Sequence, residues 1–392
     1  MAVRPHHSFS LPLNRWTVTS LQYAQELVRF ESTSVLSNVA VTDHVESVLR
    51  SLGFDTERVD YDDECGIRKA NVIGKKGPGT GGMAYFGHTD VVPAKPWLFP
   101  DHGPFVPTIK EGRLYGRGSC DMKGSVACML AAAGAVSASQ LRKPVYITCT
   151  ADEEIGFAGA ENVAKRSQLF REMVAGQSHG VIGEPTLLEV VHAHKGIYGF
   201  VATARGIAAH SSSKRGRNAN LAMIPFLAEM KAIHDELETE LFWRHGEFDP
   251  PTMCWNIGIN DHTSAVNITA PQSVCTVYFR PMPGQDVEPL LQRAEAAAKQ
   301  HGLEFGVRCR GLPVYVDPNS AFVQDVLKIA GQPAARTVAY GTDGGMFHEL
   351  SQLVVLGPGS IAQAHTHDEW IDLSQLELGT ALYSRLIEHW CL

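Results

Sequence analysis

Four short apolar runs in this chain each lead into a histidine or a carboxylate, and that arrangement narrows the fold more than any other feature. Residues 83–87 run into His88 and Asp90, and 145–150 into Asp152, Glu153 and Glu154; 181–183 run into Glu184, and 353–356 into a loop carrying His365. Short apolar runs bounded by polar turns read as buried strands. Further strand-like stretches cover 54–59 and 70–74. Between them lie helical patterns: Val41, Val45, Val48, Leu49 and Leu52 recur at helical spacing before Gly53 at a C-cap position, and 123–136 and 317–330 are rich in helix formers. Alternation of this kind predicts an α/β domain on an open, mainly parallel sheet with helices on both faces. Ligands of such sheets bind beyond the carboxyl ends of the strands, so these polar groups are expected to converge. Asp121, just ahead of the 123–136 helix, occupies a loop position within reach of the same rim.

Around Lys195 the pattern changes. A strand at 199–205, a helix at 220–237, a strand at 273–279, a helix at 287–301 and a strand at 304–309 follow one another. That order suits a small α+β split-βαβ, ferredoxin-like unit inserted into the larger domain. The expected division is therefore a catalytic domain at 1–193 and 312–392 with an insert at 194–311.

The chain has 392 residues and a formal net charge of −8, which argues against a nucleic-acid binder, since neutralising phosphates needs a basic face. No apolar stretch approaches the roughly 20 residues that span a bilayer, so no membrane partner is expected. The first sixteen residues contain no apolar core of a secretion signal. The eight cysteines are scattered without a CxxC pair and read as buried or semi-buried thiols. A cytoplasmic address follows.

Two histidines and several carboxylates without cysteine suit Zn²⁺, Co²⁺ or Mn²⁺. A two-metal site needs one bridging carboxylate and further His and carboxylate ligands for each ion. Glu153 and Glu154 are adjacent, and neighbours on an extended segment point opposite ways, so one can ligate while the other moves a proton. Asp90, two residues past His88, is placed to accept the imidazole's other N–H. One such residue alone would read as a helix cap or a solvated loop group; four strand ends together point to a metal site. The GPGTGG segment at 77–82 matches GxGxxG but opens no helix and contains Pro78, so it reads as a hairpin loop. No P-loop, HExxH or GxSxG occurs, which disfavours the corresponding hydrolases. Cys120 reads as a packed thiol beside Asp121.

The segments GHTDVVP (87–93), GRGSCDMKG (116–124), TADEEIG (150–156), GEPT (183–186) and AHTHDEW (364–370) resemble the successive signatures of the two-zinc amidohydrolases. That family groups acetylornithine deacetylase, succinyl-diaminopimelate desuccinylase, aminoacylases and glutamate carboxypeptidases. The resemblance implies two divalent ions, Zn²⁺ foremost: one held by His88, Asp121 and Glu184, the other by Asp121, Glu154 and His365, with Asp121 bridging. It implies Glu153 as general base, Asp90 as partner of His88, and a cis peptide after Asp121. His367 departs from the commoner pattern and competes with His365, which the flanking AH and DE favour as ligand.

The insert resembles the family's lid or dimerisation domain, which implies a homodimer. GIAAHSS (206–212) matches the segment whose histidine, here His210, reaches the partner's site to stabilise the oxyanion; read without the family, His210 would simply cap a turn beside Ser211 and Ser212. Asn267 and Arg280 match substrate-holding lid positions, and Lys195 is a weaker candidate for that task. GTDGG (341–345), with Thr342 as a further substrate-binding candidate, and GPGSIAQAH (357–365) resemble the acetylornithine deacetylase branch. The implied reaction is removal of acetate from N2-acetyl-L-ornithine, a step of arginine biosynthesis, so the expected partner is a small N-acyl amino acid. The alternatives are a desuccinylase, another deacylase or a dipeptidase of the same family, and, from a different class, a catalytically silent binding protein.

Overall fold

The computed structural model describes residues 18–263 and 265–392; the reading of the first sixteen residues lies outside them. Helices α1 (Ser20–Val28) and α2 (Val39–Ser51) precede strands β1 (Asp55–Asp62), β2 (Arg68–Lys76) and β3 (Met83–His88). Two short strands, β4 (Thr108–Lys110) and β5 (Arg113–Tyr115), lead into α3 (Lys123–Gly134) and β6 (Val145–Thr150). Helices α4 (Ala158–Arg166) and α5 (Gln168–Ala175) connect to β7 (His179–Ile182) and β8 (Val191–His194). Then come β9 (Ile197–Arg205), α6 (Asn220–Thr239), β10 (Asn256–Asn260), β11 (Gln272–Phe279), α7 (Glu288–Gln300) and β12 (Glu304–Gly311). The chain returns through β13 (Val314–Tyr315), α8 (Ala321–Ala330), β14 (Arg336–Val338) and β15 (Leu353–Val355) to β16 (Trp370–Asp372) and α9 (Leu373–Cys391).

The larger sheet has nine strands in the order β1-β2-β6-β3-β7-β15-β8-β13, with β14 also on β8. Its four central strands, β6, β3, β7 and β15, run parallel, and antiparallel pairs flank them. Side chains alternate across such strands. Met83 and Tyr85 of β3 therefore face a core built with α1, α2, α3, α8 and α9, while Ala84 and Phe86 face a second core with α4, α5 and Phe347. Burial on both faces explains why β3 and β6 are buried at every position. Helix α3 is buried from Lys123 through Leu130 and again at Ala132 and Ala133, lying against α1, α9 and β3. Ser320 caps α8 by accepting from the Val323 N–H, and Gly331 ends it at φ 73°.

Residues of β9–β12 form a second, four-stranded antiparallel sheet in the order β10-β11-β9-β12. It has its own core, where Phe200, Trp255 and Phe279 meet Met223, Phe226 and Met230 of α6 and Leu291 and Ala294 of α7.

Two expectations are corrected here. The GPGTGG segment is not a hairpin: β6 lies between β2 and β3, so the loop joins strands that do not pair. It needs glycine all the same, because a Cβ on Gly82 (φ +71°) would lie 2.1 Å from the Pro144 carbonyl oxygen. Among the cysteines, Cys65 is exposed, in the turn between β1 and β2, while Cys254 is half-buried and the other six are buried; all eight are free thiols.

Candidate metal centre

The four parallel central strands are those whose carboxyl ends lead to His88, the Glu153–Glu154 turn, Glu184 and the loop of His365. Gly183 permits the approach at Glu184: a Cβ there would lie 2.3 Å from Tyr85 Oη and 2.4 Å from Ser125 Oγ. Asp121 sits at the amino end of α3, and the Asp121–Met122 peptide is cis.

Asp121 is the common member of two triads. His88 Nε2 lies 3.1 Å from Asp121 Oδ1 and 3.6 Å from Glu184 Oε1. On the other side, His365 Nε2 lies 3.4 Å from Asp121 Oδ2 and 2.9 Å from Glu154 Oε2. In each triad the three ligand atoms lie within 4.8 Å of one another. His88, Asp121 and Glu184 are buried, whereas the His365 side chain is 56% exposed, so the second triad opens toward solvent. His365, not His367, completes that triad; His367 contributes its backbone carbonyl to the Leu98 N–H.

The residues fit two divalent cations. Glu154 Oε1 and Glu184 Oε1 are buried with no hydrogen-bond partner among the described residues. Burial, and then the neighbouring Asp121 carboxylate, push Glu154 up to about 7 and Glu184 well above the usual carboxylate range. Hydrogen bonds that His365 donates to the Asp121 and Glu154 carboxylates raise it to about 10. Crowded carboxylates that favour protonation here are the environment that a pair of cations relieves, and nitrogen and oxygen donors without sulfur suit Zn²⁺, Co²⁺ or Mn²⁺.

Glu153 stands beside these ligands but in neither triad. Burial raises it well above the ordinary range, with Glu184 and Glu154 adding to the effect against His88. The Glu153–Glu154 segment is a 3₁₀ turn rather than extended, which corrects the sequence reading. The turn is aimed from both sides. Asp152 is left-handed (φ 57°), its carboxylate held by Lys69 Nζ at 2.8 Å and by Tyr61 Oη at 2.7 Å. Asp90 accepts from the backbone N–H of Glu153 (3.2 Å), the backbone N–H of Glu154 (3.3 Å) and the Ser34 hydroxyl (2.7 Å). The Asp90 carboxylate is thus a turn anchor, 3.7 Å from His88 Nδ1; the nearer acceptor for that N–H is the Asp90 backbone carbonyl, at 2.9 Å.

A cavity of about 150 Å³ opens over the centre, lined by Asp121, Glu153, Glu154, Glu184 and His365 and walled by Phe157, Ile197, Arg280, Tyr340, Gly341 and Ile361. The Arg280 guanidinium makes no side-chain hydrogen bond among the described residues and faces this space. Two of the substrate-binding candidates are engaged by the chain itself and are absent from this lining. Lys195 Nζ donates to the carbonyls of Pro250 (2.7 Å) and Thr252 (2.6 Å) and so holds that loop. Thr342 is buried, its hydroxyl 3.0 Å from His194 Nε2 while accepting from the Gly344 N–H. His210 and Asn267 are exposed and outside the cavity of their own chain; His210 Nδ1 lies 2.7 Å from Ser212 Oγ, and the Asn267 carbonyl accepts from the Ser211 N–H.

Sequence reasoning missed the clamp behind Asp121. Glu369 Oε1 accepts from the N–H groups of Cys120 (2.8 Å) and Asp121 (2.9 Å), and Oε2 from Gly118 N–H (2.9 Å) and Arg117 Nη1 (2.6 Å). Arg117 Nη2 donates to the Thr366 carbonyl at 2.8 Å, which ties the Asp121 loop to the loop of His365. Both residues lie inside the recognised motifs, but nothing local in the sequence pairs them. Cys120 is buried with its thiol on the Ser360 carbonyl at 3.3 Å, and burial raises it well above an ordinary thiol.

Residues 84–389 match peptidase family M20/M25/M40. An acetylornithine deacetylase of Myxococcus xanthus is 32% identical, the alignment covering 98% of this chain and 99% of that protein. One of Proteus mirabilis is 35% identical over 91% of each. Among solved structures, an M20-family metallo-carboxypeptidase from Sulfolobus solfataricus superposes with a TM-score of 0.74 at 17% identity, covering 94% of this chain and 98% of that one. A dinuclear metal-binding M20-family peptidase from Bacillus subtilis gives 0.62 at 16% identity, covering 94% and 96%. With three-quarters of its length inside the family match and full-length relatives above 30% identity, this chain belongs to peptidase family M20/M25/M40.

Proposed function

We propose that this chain is a metal-dependent amide hydrolase that converts N2-acetyl-L-ornithine to acetate and L-ornithine, a step of arginine biosynthesis. The observation that carries the reading is the pair of triads sharing Asp121 with the buried Glu153 beside them; the full-length relatives that share the acetylornithine deacetylase name support the substrate. His88, Asp121 and Glu184 would hold one ion, and Asp121, Glu154 and His365 the other, Zn²⁺ foremost and Co²⁺ or Mn²⁺ as alternatives. Bound there, the ions supply Lewis acidity to the scissile carbonyl and acidify water.

The chain's own residues supply the remainder. Glu153 takes a proton from the attacking water as its oxygen adds to the acetyl carbon, then delivers that proton to the departing amine nitrogen as the C–N bond breaks. A base with a raised pKa holds the proton long enough to return it. Arg280 forks onto the substrate's α-carboxylate from the cavity wall. Residues 194–311 act as a lid and dimerisation unit of a cytoplasmic homodimer. The exposed His210 and Asn267 then serve the partner's cavity, His210 toward the oxyanion and Asn267 toward the substrate.

The test is acetate release from N2-acetyl-L-ornithine after chelator treatment, with and without added Zn²⁺ or Co²⁺. Metal-restored turnover is the expected result. Cleavage of succinyl-diaminopimelate or a dipeptide in its place overturns the substrate and keeps the chemistry. Silence on every substrate with metal bound overturns the enzyme reading.

A further inference from the structure

Tyr340 lies between β14 and the 3₁₀ turn Asp343–Gly345. Its Oη is buried and has no hydrogen-bond partner among the described residues, yet its side chain lines the cavity over Asp121, Glu184 and Glu153. The other deeply set tyrosine hydroxyls behave differently. Tyr85 pairs with Ser125 at 2.8 Å, Tyr383 donates to the Leu356 carbonyl at 2.9 Å, Tyr61 to Asp152 at 2.7 Å and Tyr146 to Glu172 at 2.5 Å. A buried hydroxyl left unpaired is costly to the fold, so phenylalanine would serve a purely structural purpose better here. The orphan hydroxyl makes sense as a donor waiting for an acceptor that arrives with the substrate.

Which substrate atom it meets follows from the charges around the cavity. Burial raises the Tyr340 phenol above its ordinary value, so it stays protonated and keeps a proton to donate. Arg280 on the same wall has Glu153 among the charges it senses, and its unpaired guanidinium is the natural anchor for a substrate carboxylate. Tyr340 lines the same space as the carboxylates of both triads, where the scissile carbonyl must lie.

We propose that Tyr340 is a further catalytic residue, whose phenolic hydroxyl donates a hydrogen bond to the carbonyl oxygen of the scissile amide as that oxygen gains negative charge. This rests on the amide-hydrolase reading above. The hydroxyl keeps its proton throughout: water's oxygen adds to the carbon, the carbonyl oxygen becomes an oxyanion and accepts from Tyr340, and it reverts to a carbonyl when the C–N bond breaks. Each chain then carries an oxyanion donor of its own, independent of any group reaching in from a partner.

The experiment compares metal-loaded wild type with Tyr340→Phe, which removes a single oxygen that has no partner. The substrate is whichever N-acyl amino acid or dipeptide wild type cleaves, so the wrong substrate and the wrong residue role give separate answers. The expected result is a fall in kcat of about 10²-fold with KM little changed, metal content equal to wild type, and a matching loss of affinity for a phosphonate analogue of the tetrahedral intermediate but not for the amino-acid product. A kcat within about threefold of wild type, a rise in KM alone, or a loss of bound metal each overturns the proposal. Should Tyr340→Phe fail to fold, 3-fluorotyrosine at this position, a stronger donor, is expected to tighten analogue binding, and unchanged binding overturns the idea. A wild type that hydrolyses no amide overturns both this proposal and the functional reading beneath it.

Discussion

Replacing Glu369 by alanine removes one carboxylate from four donors at once: the N–H groups of Gly118, Cys120 and Asp121 and the guanidinium of Arg117. Glu369 and Arg117 are 0% and 1% exposed, so the orphaned groups cannot turn to bulk water. Breaking a buried ion pair from one side costs about 3–5 kcal/mol, and each buried donor left unsatisfied about 1–3 kcal/mol. Water entering the vacated space recovers part of this, and a net loss of about 5 kcal/mol is expected. That is a large share of the roughly 5–15 kcal/mol that holds a domain together. Glu369→Gln keeps one carbonyl oxygen for the Cys120 and Asp121 amides but turns an N–H₂ toward Gly118 and Arg117, and an intermediate loss of about 2–3 kcal/mol is expected. Urea unfolding in chelator, where metal binding cannot mask the difference, measures both. Metal analysis without chelator checks the functional consequence, a reduced metal content, because the clamp links the loops of Asp121 and His365. If Glu369→Ala unfolds within about 1 kcal/mol of wild type, the clamp carries little energy and this reasoning is wrong.

Two further outcomes are expected. Glu153→Gln should lower turnover by at least about 10²-fold while leaving metal content intact, since Glu153 belongs to neither triad; steady-state rates with metal analysis decide it, and activity within tenfold of wild type would remove Glu153 from the proton path. His194 is buried, with its Nδ1–H on the Lys195 carbonyl at 2.7 Å, and burial lowers it to about 4. Between its unfolded value near 6.5 and about 4 the unfolded chain binds the extra proton, so this group's contribution falls as pH drops through that window, by up to about 3 kcal/mol. His194→Asn, which retains a donor near Nδ1, should therefore lose less stability than wild type between pH 7 and 4.5 in urea titrations; equal losses would show that His194 does not drive the acid limb.

The legible part of the fold was local. Strand β6 was read at its observed ends and β3 to within a residue, because apolar runs flanked by polar turns need no distant partner to be recognised. Helix α3 was equally plain from its Ala, Met and Leu content. Helices α1, α4 and α5 are too short for their apolar stripes to stand out, and their helical state depends on the sheet face they cover, whereas α9 carries a continuous stripe from Leu376 to Trp390 that the sequence reading omits. Strand order could not be read, since the insertion of β6 between β2 and β3 is a pairing between segments about 70 residues apart.

The same division runs through the site. The sequence alone determined that His88, Glu153, Glu154 and Glu184 stand at or just past strand ends, because local alternation marks where a strand stops and which residue follows it. Only the tertiary structure decided which charged groups face the cavity. Lys195 and Arg280 look alike as isolated basic residues, yet one ammonium is absorbed by the Pro250 and Thr252 carbonyls while the other residue's guanidinium faces the cavity. Asp90 holds the Glu153–Glu154 turn more closely than it holds His88, and Glu369 reaches 248 residues back to set Asp121. A charged group's role is fixed by what lies within about 3 Å of it once it leaves water, and that neighbourhood is assembled from segments far apart in the chain.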